Sequence, residues 1–174
     1  MIGYLAIPAD KQSMVKGDLE KEISLALSNG YRTFLTRYAE QPDMLFARCV
    51  MEYRQQYPDL FLESILPTPA HAERFSREEW ELLSRCDGLK VLCESCREDW
   101  ALNITRYLID QSSRVIVVYD GGADHDLLFA MDYAPTIDRA FRIIKIYYKT
   151  DRKTMTAVIA LMLFFYAKNR WITI

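Results

Sequence analysis

The chain has 174 residues, 51% of them apolar and 26% charged, with a net charge of −2. That composition excludes a disordered chain, allows a core that needs no staple of disulfides or metal, and excludes a nucleic-acid grip built on bulk positive charge. Six glycines, at positions 3, 17, 30, 88, 121 and 122, cannot spell G-x-G-x-x-G or a Walker-type P-loop, which excludes the ordinary dinucleotide and triphosphate cradles.

Taken in chain order, strand-like and helix-like segments alternate. Residues 2–7 form a short apolar run ended by Pro8. The spacing predicts a helix over 17–29, with Leu19, Ile23, Ala26 and Leu27 on one face and Asn29-Gly30 as its stop. A strand is expected over 33–38. A helix follows over 42–57, with Pro42 in its first turn. The next strand, 60–66, ends at Pro67. Ser76 and Glu79 spell a capping box at a helix start. Residues 89–93 read as a strand, 100–110 as a helix and 114–120 as a strand. The Val-Ile-Val-Val-Tyr run of this last strand has no polar alternation, so burial on both faces is expected. A strand over 141–148, a helix over 155–168 and a short strand over 171–174 complete the pattern. Strands joined by helices imply right-handed βαβ crossovers. The expected fold is α/β: a Rossmann-like three-layer sandwich with a mainly parallel sheet. The chain reads as a single domain, 1–174, with 147–174 as an added helix-strand unit at the sheet edge.

The N-terminus has no basic segment followed by a long apolar run, so no signal peptide is read and a cytoplasmic chain is expected. The longest apolar run opens at Met155 and closes at Ala167, interrupted by Thr156. As a helix its thirteen residues span about 20 Å, short of the roughly 30 Å hydrocarbon core. It is expected to be buried in the core or at a homodimer face, and no membrane partner is expected.

Open parallel sheets bind ligands beyond the carboxyl ends of their strands, where strand order reverses. Residues 8–11, 36–43, 67–74 and 120–126 therefore matter most. Asp120-Gly121-Gly122 reads either as a loop touching a ligand's ribose or phosphate or as a plain Asp-Gly turn. Lys11, Arg37, Arg48 and Arg106 could gather at the same rim to hold phosphate, or stand apart as solvated charges. Asp43 suits a helix start. His125 between two aspartates, and Cys93 with Cys96, are weak metal signals, and no metal or cofactor is expected. His71, at a strand exit, has no recognisable nucleophile or second acid beside it.

Three blocks carry a family resemblance. The first is Gly30-Tyr-Arg-Thr-Phe-Leu-Thr-Arg-Tyr-Ala-Glu-Gln-Pro-Asp43, the second Gln56-Tyr-Pro58, and the third Arg106-Tyr-Leu-Ile-Asp110-Gln-Ser112 followed by Val115-Ile-Val-Val-Tyr-Asp-Gly121. In order and spacing they resemble YpsA-like proteins of the SLOG superfamily, relatives of the LOG phosphoribohydrolases and of the DNA-processing protein DprA. The resemblance runs from about residue 2 to 146. It implies a Rossmann-like fold and a nucleotide or nucleotide-derived ligand at Thr36, Arg37, Asp43, Arg106, Ser112, Tyr119, Asp120, Gly121 and Gly122. The two glycines of the family's phosphate turn stand here as Arg37 and Gln41, and its next-helix acid as Arg48. Ile7-Pro-Ala-Asp10 replaces the N-terminal T-G-H-R, and Gly121-Gly-Ala-Asp-His-Asp126 replaces the G-G-T turn. The hydrolase glutamate has no counterpart over 127–133. The reading is a non-catalytic binding protein. The alternatives are an interaction or regulatory scaffold with a vestigial pocket and a nucleoside-monophosphate N-glycosidase.

Overall fold

The computed structural model describes residues 2–3, 6–38, 40–93, 100–122 and 124–146. The expected helix over 155–168, the strand over 171–174 and the homodimer face lie outside the described residues.

Strand β1 (Ile2–Gly3) leads to α1 (Ala9–Ser28), β2 (Thr33–Thr36) and α2 (Gln41–Tyr53). Strand β3 (Phe61–Leu66), the single turn α3 (Pro69–Ala72), α4 (Arg77–Leu83) and β4 (Gly88–Val91) follow. Then come α5 (Trp100–Gln111), β5 (Arg114–Tyr119), α6 (His125–Thr136) and β6 (Ala140–Lys145). The strands hydrogen-bond in two groups, β2-β3-β4 and β1-β5-β6. All four pairings are parallel, with Ile2 opposite Val117, Thr33 opposite Phe61, Glu63 opposite Gly88 and Arg114 opposite Ala140. Parallel strands need crossovers, and helices fill that role here. The chain runs through β2, β3 and β4 in one ladder, then pairs β5 with β1 and β6 with β5 in the other.

Two apolar layers show where the helices lie. One joins Leu19, Ile23 and Leu27 of α1 and Phe46 and Val50 of α2 to Phe34, Leu62, Ile116, Val118 and Ile144 of the strands. The other joins Ile104, Leu108 and Ile109 of α5 and Leu127, Ala130 and Ala134 of α6 to Ile65, Val115, Val117 and Tyr119. Alternate residues of β5 thus enter opposite layers, the period of two expected of a strand. Val117 and Val118 have no exposed surface. The protein is a Rossmann-like α/β three-layer sandwich with β5 buried on both faces.

Two elements differ from the sequence expectation. Helix α1 begins at Ala9, eight residues before the predicted start. Gly17 costs a helix interior about 1 kcal/mol, yet it stands on a half-exposed face, and Val15 extends the buried stripe by one turn ahead of Leu19. Residues 125–136, which the pattern left without an assignment, form α6. Its start is fixed by Asp124, whose Oδ1 accepts from the backbone N–H groups of Asp126 and Leu127, both at 3.1 Å.

Candidate functional site

The parallel strands β1 and β5 end on the same side, and the segment after β1 bonds to the one after β2. Ile7, after β1, donates its N–H to Gln41 Oε1 on the first turn of α2 at 2.6 Å. Glu40 precedes that helix as its cap. Its N–H donates to Asp43 Oδ2 at 3.1 Å, completing a capping box. The carboxyl of Glu40 is raised above its ordinary range, first by burial, with Arg37 opposing and the acids Asp43 and Asp124 adding to the rise. The charge of Asp124, beyond β5, thus reaches Glu40, beyond β2.

Beyond β2 the chain makes an unusual turn. Tyr38 has φ +50°, in the left-handed region that side chains disfavour. Its ring is nevertheless fully buried, edge-on to Phe75, and its hydroxyl donates to the Glu79 carbonyl at 2.5 Å. The phenol is held protonated well above its ordinary range, chiefly by burial. This turn carries Arg37 inward. Arg37 and Asp43 are both fully buried and form an ion pair, Nε to Oδ2 at 3.5 Å. Thr36, equally buried, makes a long hydrogen bond from its hydroxyl to the Asp43 carbonyl at 3.5 Å.

At the exit of β5, Gly121 has φ +96° and both glycines are exposed. Gly122 donates its N–H to Asp120 Oδ1 at 2.8 Å. A Cβ on Gly122 would lie 3.0 Å from that oxygen, a tight contact to which the Asp120 carboxylate would have to yield. The three exits carry Asp10, Glu40, Asp43, Asp120, Asp124 and Asp126 against Lys11 and Arg37. The rim is acidic. Five backbone N–H groups there, those of Ile7, Glu40, Gly122, Asp126 and Leu127, already donate to the chain's own side-chain oxygens. In a phosphate cradle such amides face the ligand. Here carboxylates of the chain stand where an anion would.

The residues expected at the site therefore separate. Thr36, Arg37, Asp43, Tyr119, Asp120, Gly121 and Gly122 all lie at the exits of β2 and β5. Tyr119 is 7% exposed and points into the α5–α6 layer; burial raises its phenol. Arg106 is exposed on α5, its guanidinium carbon 5.7 Å from the ring centre of Phe129 and 5.3 Å from that of Tyr133. These rings stack on each other, and Tyr133 donates to Asp110 at 2.8 Å. Arg106 thus clamps α5 to α6. Arg48 is exposed and pairs with Glu78 at 2.6 Å, while Lys11 reaches Asp10 at 3.9 Å. The four cations do not gather. Ser112 lies before β5, and a six-residue strand is about 20 Å long, so it stands at the opposite end of the sheet from Asp120.

Sequence reasoning missed Glu40 and took Gln41 only as the stand-in for a glycine; the first caps α2 and the second ties it to the segment after β1. Their signal was the acid-then-proline pattern Glu40-Gln41-Pro42 at a helix start. His71, beyond β3, sits with Nδ1 3.0 Å from the Thr68 hydroxyl and its ring centre 4.6 Å from that of Trp100. Among the described residues no group of three or more His, Cys, Asp or Glu side chains is arranged to hold a metal ion, and no helix is long and apolar enough to cross a membrane. A scan of protein-family models and a search of curated proteins return no match for the chain.

Proposed function

We propose that this chain is a non-catalytic, SLOG-like binding protein. It takes a nucleotide-derived small molecule at the acidic rim through the base and ribose, without a phosphate cradle. The observation that carries this reading is the filling of the five rim amides by side-chain oxygens, four of them bound to carboxylates. A phosphate would have to displace those carboxylates and then sit among them. A ribose meets no such obstacle. A carboxylate offers about four acceptor positions, so Asp120, with one N–H on Oδ1, retains capacity for a sugar diol. The exposed Gly121-Gly122 backbone permits close approach.

Calorimetry with adenosine and guanosine against their 5′-monophosphates tests it. The nucleoside is expected to bind at least as tightly as its monophosphate. Asp120→Ala should weaken both roughly tenfold, with no change in salt dependence. Monophosphates binding tenfold tighter, with steep salt dependence, would sink the reading. The second reading, an interaction or regulatory scaffold, draws on the same filled amides, because a rim closed by its own side chains needs no ligand to be stable. Absence of any heat or thermal shift with the whole set assigns the protein to it.

A further inference from the structure

Strand β4 ends one side of the β2-β3-β4 ladder and pairs with β3 alone among the described residues. Its Leu89 is 53% and its Val91 41% exposed. Just past the strand, Leu92 donates its N–H to the Leu66 carbonyl at 3.1 Å. Alternate residues of a strand turn their backbone groups to alternate sides. The N–H and C=O groups of Leu89 and Val91 therefore face away from β3.

Folded proteins usually guard such an edge with a proline, a charge or a covering element. No proline stands in β4, and its one charge is Lys90. That lysine is drawn over the sheet face onto α5, its Nζ 2.8 Å from the Tyr107 hydroxyl and 4.4 Å from the centre of the same ring. It does not bar an added strand. Gly88, opposite Glu63 of β3, offers no side chain at all.

We propose that a second copy of this chain docks on this edge, with its β4 antiparallel to the first across a twofold axis at Leu89. Such a contact is self-complementary, as a twofold interface must be. The two Leu89 residues exchange N–H to C=O bonds. Their side chains meet on the face that carries Leu62 and Leu66. On the other face, Lys90 of each copy stands opposite Gly88 of the other. Glu63 lies beside that glycine on β3, two strand spacings or about 9.5 Å from Lys90. With no side chain between them, the cation of each copy faces the acid of the other. This crossed complementarity of charge selects a second copy over an unrelated strand.

A four-residue edge makes a small interface, so a Kd on the order of 0.1 mM is expected. Sedimentation equilibrium between about 10 µM and about 1 mM should show the mass rising from 20.4 kDa toward twice that value. Leu89→Pro removes the central donor, which a lone edge strand tolerates because that N–H faces solvent; its mass should stay that of one chain. Glu63→Lys and Lys90→Glu, each alone, set like charges across the axis and should weaken the dimer roughly tenfold. An equimolar mixture of these two variants sets opposite charges across both contacts, although within each chain the charges still repel. The mixture should recover the mass of the unmodified chain. An unmodified chain that stays single over the whole range, a dimer untouched by Leu89→Pro, or a mixture no heavier than its components would each overturn the proposal. The unmodified chain and the mixture decide it even if Leu89→Pro fails to fold.

Discussion

Arg37 shows how one residue changes what a strand exit can do. On the proposed SLOG-like reading, a glycine at this position would bring backbone amides to a phosphate. Here the left-handed turn at Tyr38 sends a guanidinium into the protein, against Asp43. A buried pair adds little net stability, but breaking it leaves a bare charge inside. Arg37→Ala should therefore cost about 3–5 kcal/mol, read as a fall in the urea midpoint at unchanged slope. Arg37→Met with Asp43→Asn should cost clearly less than the sum of the two single changes, because neither charge remains. Additive losses would mean that the pair is not coupled. A second residue-scale test concerns His71. Its pKa is lowered from 6.5, first by burial and then by the Arg74 charge, so the folded state disfavours the imidazolium. The unfolded chain then binds the proton more readily below about pH 6.5. The contribution of His71 is present above that pH and is lost as pH falls through the lower folded value. Unfolding curves between pH 7 and pH 5 should show a decline that His71→Gln lessens. Because the ring abuts Trp100, tryptophan emission should follow the same titration and lose it in the variant.

At the scale of elements, helix ends decide most of the rim. Helices α2, α4 and α6 each begin at a polar cap whose carboxylate or hydroxyl takes orphan N–H groups. Asp124→Ala removes the acceptor of two such groups and should lower stability by about 1 kcal/mol. Hydrogen exchange at Asp126 and Leu127 should speed up while exchange at Val117 stays slow; uniform acceleration would show that the cap is coupled to the whole fold. The same ends explain what the sequence made legible. Strands β2, β3 and β5 and the Ser76–Glu79 box followed from local patterns, because a buried β-branched run or a capping box is complete within a few residues. Helix α6 did not, because Asp124-His125-Asp126 is equally good turn chemistry and only its packing on α5 selects a helix. The separation of Ser112 from Asp120 was also hidden. Both flank one strand in sequence, and only the strand's length puts them at opposite ends of the sheet. Burial of Arg37 depended on Asp43, six residues away, and on a backbone conformation that no propensity assigns to tyrosine.

At the scale of the whole molecule, the hydrogen-bonded ladders fall into two groups of three, yet the apolar layers run across both. Phe34 and Leu62 of one group share a layer with Ile116, Val118 and Ile144 of the other. On the far side Ile65 joins Val115, Val117 and Tyr119. Burial, more than strand pairing, therefore unites the described residues, and β5 belongs to both layers at once. Val117→Ala opens a hole in the α5–α6 layer, and Val118→Ala one in the α1–α2 layer. Each loses two buried methyl groups and should cost about 1.5–3 kcal/mol. The side chains point to opposite faces and share no packing partners, so the double variant should lose close to the sum. Each single variant should still unfold in one step, with near- and far-ultraviolet circular dichroism superimposed, because neither layer keeps its sheet when the other melts. If Val118→Ala released the α1–α2 side first while ellipticity from α5 and α6 persisted, the two ladders would be separate folding units and β5 would not join them.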